Sequence, residues 1–335
     1  MNERNGPMRA VVIHEFGPID SHEIEELPDP VPGPKEILID TRVIGLNFPD
    51  TLMVQGLYQT KPDRPFVPGR DAAGVVAAVG DEVTRFKIGD RALAQVRWGS
   101  YAEKVVAPEE RSFVMPEEMD FIGAAALGTV YPTSHIALML RGQYKDGESV
   151  LVNGAGGGIG LAAVQIAKAK GAQVIAGDIT EEKRQLALAN GADHAIDLSV
   201  DDLRENLRQQ VFAIAGKGGV DIVLDPVGGD VFDGSLRALA YFGRIVTIGY
   251  ASGRIPEAKA SYFNVKSLIL AGMALDMHFT LKPETVHDAM ADLFDLYLKG
   301  KVRPEVTGTY PFEEFKTAMN LFGAGKTMGK TVLTL

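Results

Sequence analysis

Apolar residues recur along this chain with two different periods, and the change from one to the other divides it. Through the first third they fall in short extended runs at residues 9–13, 36–43, 74–79, 91–94 and 101–106. Pro and Gly turns such as Pro32-Gly33-Pro34 and Val67-Pro68-Gly69 separate them. Closely spaced strands with such punctuation predict a small antiparallel barrel or sandwich. From about Gly123 the texture changes. A helical stretch from Tyr131 to Leu140 leads into strands predicted at 149–153, 173–177, 194–197, 221–225 and 244–249. These alternate with helices near 159–170, 181–190, 201–215 and 230–240, the pattern of an α/β doubly wound parallel sheet. Past residue 270, Pro283 suits a helix start, and Val286, Met290, Leu293 and Tyr297 make one stripe before Gly300. A helix at 311–322 and a strand at 330–335 follow. The tail is expected to return to the first domain, giving a discontinuous domain of 1–127 and 275–335 around a second of 128–274.

The junction at Asn153 carries the strongest chemical signal. The apolar run Val150-Leu151-Val152 passes into Gly154-Ala155-Gly156-Gly157-Gly158-Ile159-Gly160, and helical spacing begins at once behind it. A buried strand, a glycine turn and a helix start suit a pyrophosphate, because bare amides approach the anion and the helix N-terminus favours it. A strict G-x-G-x-x-G would put Ala155 first, so the looser G-x-x-G-x-x-G of Gly154, Gly157 and Gly160 fits better. The next strand ends at Asp178, 18 residues after Gly160, near the spacing of a ribose-binding carboxylate. Together they point to a dinucleotide site.

Composition narrows the class. At 335 residues two domains are natural, and 46% apolar content fills sizeable cores. A net charge of −10 argues against a nucleic-acid surface or an anionic membrane. No apolar run reaches bilayer length, and Met1–Pro7 does not open a signal peptide, so a cytoplasmic location is expected. With no cysteine there is no disulfide, thiolate ligand or cysteine nucleophile.

A set of short motifs then carries a family likeness. Asn47-Phe48-Pro49-Asp50, Gln55-Gly56-Leu57-Tyr58, Pro65-Phe66-Val67-Pro68-Gly69, Gly89-Asp90-Arg91 and Gly99-Ser100-Tyr101-Ala102-Glu103 occur in that order. Thr133, the glycine turn, Gly191-Ala192-Asp193-His194, Asp225-Pro226-Val227-Gly228-Gly229, Gly243-Arg244 and Gly329-Lys330 follow. Their order and spacing resemble the medium-chain dehydrogenase/reductase family, and within it the zinc-free quinone oxidoreductase branch. The resemblance implies a GroES-like antiparallel β-barrel domain and a Rossmann domain. It also implies NAD(P)H-dependent hydride transfer to a quinone or to an alkene conjugated to a carbonyl.

Zinc relatives carry a histidine and a glutamate after the glycine at the Gly69 position, and an upstream cysteine; here Arg70 and Asp71 follow it. The six histidines show no ligand spacing, and no metal is expected. Without a Lewis acid an unactivated alcohol is a poor hydride donor, whereas an electron-poor acceptor needs alignment, water exclusion and one proton. Tyr58 matches a tyrosine that related enoyl-thioester reductases use as proton donor, although packing against Pro65 or Phe66 explains it equally well. Asn47 is expected to hold the nicotinamide ribose or the substrate carbonyl, with a turn-forming role as its rival. Asp50 and Asp71 read as structural.

For the cofactor, the expected contacts are Asn47, Thr133, Gly154, Gly156, Gly157, Gly158, Ile159, Gly160, Asp178, Lys183, Gly249 and Tyr250. Met273 is a further candidate, though a core role suits it better. A carboxylate at Asp178 accepts a ribose diol but repels a 2′-phosphate, and as the nearer group to the ribose edge it tips the expectation towards NADH; Lys183, at the family's phosphate-binding position, favours NADPH, the family alternative. An enoyl-CoA reductase is the close alternative, with Lys61, Arg64, Arg70 and Arg97 as a sparse basic rim. A non-catalytic dinucleotide sensor is the distant one. Relatives pair through the strand corresponding to 267–272, so a homodimer is expected.

Overall fold

The computed structural model describes residues 7–335; Met1–Gly6, where most of the signal-peptide reading falls, lie outside the described residues. Backbone contacts divide the chain into two compact units, one running to Thr129 and completed by Glu305–Leu335, the other Val130–Pro304.

In the first unit β1 (Met8–Val12) and β2 (Glu23–Leu27) form an antiparallel ribbon. The main sheet is organised by β3 (Glu36–Gly45), the longest strand, whose Ile37, Ile39 and Ile44 are fully buried. On one side β3 pairs with β4 (Asp71–Val79), which continues to β5 (Arg91–Gln95) and β7 (Ser112–Val114). Its other edge is shared: β6 (Lys104–Pro108) covers Glu36–Asp40, and the C-terminal strand Lys330–Thr334 covers Val43–Gly45. Val306–Pro311 then adds in parallel to that last strand. Two register shifts between β3 and β4 bend the sheet, as bulges do. The strands cluster as the sequence pattern predicts, and the tail does return to this unit.

The second unit is a six-stranded sheet of β8 (Ser149–Asn153), β9 (Gln173–Asp178), β10 (His194–Asp197), β11 (Val220–Asp225), β12 (Leu239–Thr247) and β13 (Ile269–Gly272). All pairs are parallel and the order is β10-β9-β8-β11-β12-β13, the doubly wound arrangement with its switch between the first and fourth strands. Every residue of β8 is buried, as a central parallel strand covered on both faces requires. Helices Gly158–Ala169, Glu181–Ala189, Leu203–Ala215 and Gly229–Ala238 join successive strands.

Two expectations need correction. The segment 275–304 belongs to the second unit, not the first. The reason is the apolar stripe of helix Pro283–Leu298, whose Val286, Met290 and Leu293 are buried, with Tyr297 only partly so. Asp292 on that helix takes a 2.7 Å hydrogen bond from His135. The stretch Tyr131–Leu140 is helical as expected, α over Val130–Ile136 and then π over Ala137–Arg141. The fifth parallel strand starts at Leu239 rather than 244, across a register shift against β11. Among the described residues no single helix is long and apolar enough to cross a membrane.

Candidate functional site

The glycine turn lies at the carboxyl end of β8, beside the switch point. Gly154 adopts φ +61, open to glycine at little cost. A Cβ on Gly160 would overlap the Gly154 carbonyl oxygen and the Ala155 backbone, so this helix turn closes only on a hydrogen atom. At Gly156 a Cβ would come within 2.5 Å of the Lys183 side chain. Gly157 is the N-cap of Gly158–Ala169 and supplies no side-chain cap. The first-turn amides, those of Gly158, Ile159 and Gly160 among them, have no intrahelical acceptor. The turn therefore has the donors and the bare approach that a diphosphate needs.

Asp178 ends β9 and faces this turn: its Oδ2 accepts the Gly156 N–H at 2.8 Å and its Oδ1 the Ile179 N–H at 2.8 Å. Thr180 caps the following helix by accepting from the Lys183 N–H. Thr133 is buried in helix Val130–Ile136, and the neighbouring Ser134 hydroxyl donates to the Ile159 carbonyl at 3.0 Å, tying that helix to the turn. At the ends of β8 and β11, the Asn153 Nδ2 donates to Asp225 Oδ1 at 3.1 Å and to Ser235 at 3.0 Å. The Gly228 N–H reaches the same Asp225 carboxylate. Burial pushes the Asp225 carboxyl above its ordinary range, against these donors. Asn153 and Asp225 gave no sequence signal as a pair, since 72 residues separate them. After β12, Gly249 passes the Pro226 carbonyl, to which a Cβ would come as near as 3.3 Å, and Tyr250 is 42% exposed. Met273 is buried.

The first unit holds a buried polar cluster at the end of β3. The Asn47 N–H donates to Asp50 Oδ2 at 2.9 Å, closing the first turn of helix Phe48–Val54. The Asn47 Nδ2 donates to Asp71 Oδ2 at 2.8 Å and to the Gly45 carbonyl at 3.3 Å, while its Oδ1 accepts from Lys330 Nζ at 2.9 Å. Asn47 is thus engaged on both sides of its amide inside the unit, in addition to any role toward a ligand. Asp71 also accepts from the Thr129 N–H and hydroxyl, at 3.0 and 2.8 Å. Lys330 is fully buried, and desolvation lowers its pKa. Burial pushes the Asp50 carboxyl up to about 7, against the opposing charge of Arg70. The phenol of Tyr101 points at Asp50 and is held well above its ordinary range by burial.

These residues do not fit a catalytic zinc. Asp71 already accepts three hydrogen bonds, an ammonium occupies the Asn47 oxygen, and a guanidinium stands next in sequence. Among the described residues no group of three or more His, Cys, Asp or Glu is arranged to hold a metal ion. Sequence reasoning named Lys330 and Arg70 but did not foresee that either joins this cluster. No local signal marked Lys330 as buried, because it opens a strand, Lys330–Thr334, that also carries Thr331 and Thr334.

Tyr58 is half-buried against the apolar cluster that contains Phe66, and Arg70 lies over its ring, 5.7 Å from the centroid. Arg70 is only 5% exposed, so it is no part of a basic rim, whereas Lys61, Arg64 and Arg97 are exposed.

A Rossmann unit with a glycine turn, joined to a bent antiparallel sheet unit, defines a dehydrogenase of the two-domain kind. The family description "Alcohol dehydrogenase GroES-like domain" matches residues 33–117, and "Zinc-binding dehydrogenase" matches 158–295. The chain is 34% identical over 344 residues to the rat synaptic vesicle membrane protein VAT-1 homolog, covering 98% of this chain and 84% of the relative. It is 33% identical over 314 residues to bovine quinone oxidoreductase-like protein 2, covering 93% and 88%. The crystal structure of Escherichia coli quinone oxidoreductase complexed with NADPH superposes with a TM-score of 0.88 at 30% identity, covering 98% of this chain and all of that one. The chain belongs to the medium-chain dehydrogenase/reductase family, among its quinone oxidoreductase-like members.

Proposed function

We propose that this protein is a metal-independent, NAD(P)H-dependent reductase of quinones or of alkenes conjugated to a carbonyl. The observation that carries the reading is the turn at Gly154–Gly160, with its uncapped helix start and Asp178 facing it from the next strand. The E. coli relative complexed with NADPH supports it. The reduced nicotinamide supplies a hydride, two electrons and one proton's nucleus, to the electron-poor carbon or quinone. Around that event the chain binds, orients and protonates. Gly156, Gly157, Gly158, Ile159 and Gly160 hold the diphosphate, Asp178 and Lys183 decide the ribose end, and Thr133, Gly249 and Tyr250 border the nicotinamide. Tyr58 gives its phenolic proton to the acceptor oxygen, producing a hydroquinone or an enol, and is reprotonated from water. Asn47 fixes the loop from which Tyr58 follows and offers the ribose its remaining acceptor capacity.

Loss of near-ultraviolet absorbance of NADPH and NADH, measured across quinones, enals and enoyl-CoAs, tests this reading. Turnover of a quinone or enone with either cofactor is expected. Faster turnover of crotonyl-CoA than of benzoquinones would overturn the substrate class, and no oxidation with any acceptor would overturn the activity. We also propose a homodimer: the outer edge of β13 is unpaired among the described residues, and Ile269 and Leu270 on it are about half exposed. A monomer by light scattering refutes that.

A further inference from the structure

Resting on the reading of Tyr58 as proton donor, we propose that Arg70 is a positioning residue for this reaction, its guanidinium holding the Tyr58 ring in the orientation from which the phenol donates. The two side chains differ in how well the fold fixes them. Tyr58 follows a turn at Gly56 (φ +70) in a segment, 55–65, that contains no helix and no ladder, so its own backbone constrains it little. Arg70 is mounted rigidly. It immediately precedes β4, and its carbonyl accepts the Val96 N–H at 2.8 Å. Gly69 before it adopts φ +92 and packs so closely on the Tyr101 ring and the Ser100 hydroxyl that no Cβ fits. The course of the chain into Arg70 is therefore set by the buried core.

From this mount the guanidinium lies over the Tyr58 ring, 5.7 Å from its centroid, and is almost wholly shielded from water. A guanidinium over an aromatic face is attracted by the ring's quadrupole, and the attraction grows when both are desolvated. Its planar shape spreads that attraction over the ring, which the compact ammonium of a lysine does not do. The Arg70 charge also acts on the buried carboxyl of Asp50, where it opposes the effect of burial. The cation thus lies over the tyrosine ring and clamps a loop residue onto a rigid strand. When the phenol has given its proton to the acceptor oxygen, the same cation faces the phenolate left behind and stabilises it until water returns a proton.

A double-mutant cycle separates this role from a general structural one. Turnover with a quinone acceptor and NADPH affinity by fluorescence titration are measured for the wild type, Tyr58→Phe, Arg70→Met and the double variant, with folding checked by circular dichroism. Arg70→Met is expected to lower kcat about 5- to 20-fold, the range that a desolvated cation–π contact supports, with NADPH affinity within about twofold of wild type. In the Tyr58→Phe background the same substitution is expected to change kcat less than about twofold, because the group it positions is gone. Equal losses in both backgrounds, or no loss in the wild-type background, overturn the proposal. Should Arg70→Met not fold, the cycle is run with Arg70→Lys, where a smaller loss that again vanishes with Phe at position 58 is expected, and equal losses again refute. Wild-type turnover in Tyr58→Phe alone is a different result: it removes the proton-donor reading itself.

Discussion

Asp50 gives the sharpest physical test of the buried cluster in the first unit. Its carboxyl is completely buried, and burial lifts its pKa from 3.8 to about 7 despite Arg70 and the Asn47 N–H. In the unfolded chain the group ionises near its ordinary value, so between the two values the unfolded state loses a proton that the folded state keeps. Raised in the fold, Asp50 contributes stability that is fully present at acid pH and is lost as the pH rises toward 7. At about 1.4 kcal/mol per pH unit the whole gap amounts to about 4 kcal/mol. Asp50→Asn replaces the acid by a neutral amide of the same shape. Its oxygen still accepts from Asn47, while the added NH2 group carries a cost of about 1–3 kcal/mol that does not vary with pH. The variant's stability relative to the wild type should therefore improve by about 3 kcal/mol from roughly pH 5 to roughly pH 8. Urea unfolding at both pH values measures it, followed by the fluorescence of Trp98, the sole tryptophan, which lies in the same unit. Other titrating groups cancel in the difference. A pH-independent difference would refute the reasoning, because it would mean that Asp50 ionises in the fold as it does in the open chain.

Gly160→Ala forces a methyl into the Gly154 carbonyl and the Ala155 backbone; neither can move aside, so a loss of about 1–3 kcal/mol is expected together with loss of NADPH binding, read by calorimetry and fluorescence titration. Asp178→Ala removes the carboxylate that faces the turn, and the ratio of kcat/KM for NADPH over NADH should rise about tenfold or more; an unchanged ratio places the ribose elsewhere. His135 has its pKa lowered, chiefly by burial and against the pull of Asp292. Depressed in the fold, it contributes stability present above about pH 6.5 and lost as the pH falls below it, so His135→Gln should flatten the decline of the urea midpoint between roughly pH 7 and pH 5.

Much of the fold was legible because its signals are local. Val150-Leu151-Val152 before a glycine run specifies a buried parallel strand and a turn, and the bounds of Ser149–Asn153, Gln173–Asp178 and His194–Asp197 follow the predicted ones within a residue. Gly160 was legible for the same reason, since the close approach it permits is to residues only a few positions away. Helix Pro283–Leu298 was legible as a helix but not as to what its stripe covers: amphipathicity fixes that a face is buried and leaves the partner open, and that partner moved 275–304 into the second unit.

The sequence by itself determined the two periodicities, the parallel sheet with its glycine turn, the acid at the end of the second strand, and a chemistry without cysteine. The tertiary structure alone decided what the long-range polar contacts would be. It brought Lys330 to Asn47 across 283 positions, Asp71 to Thr129, Asn153 to Asp225, and Arg70 over Tyr58. The reason is that a hydrogen bond or a stacked cation depends on where two side chains meet in space. Periodicity records only that a position faces inward, and says nothing of what it meets there.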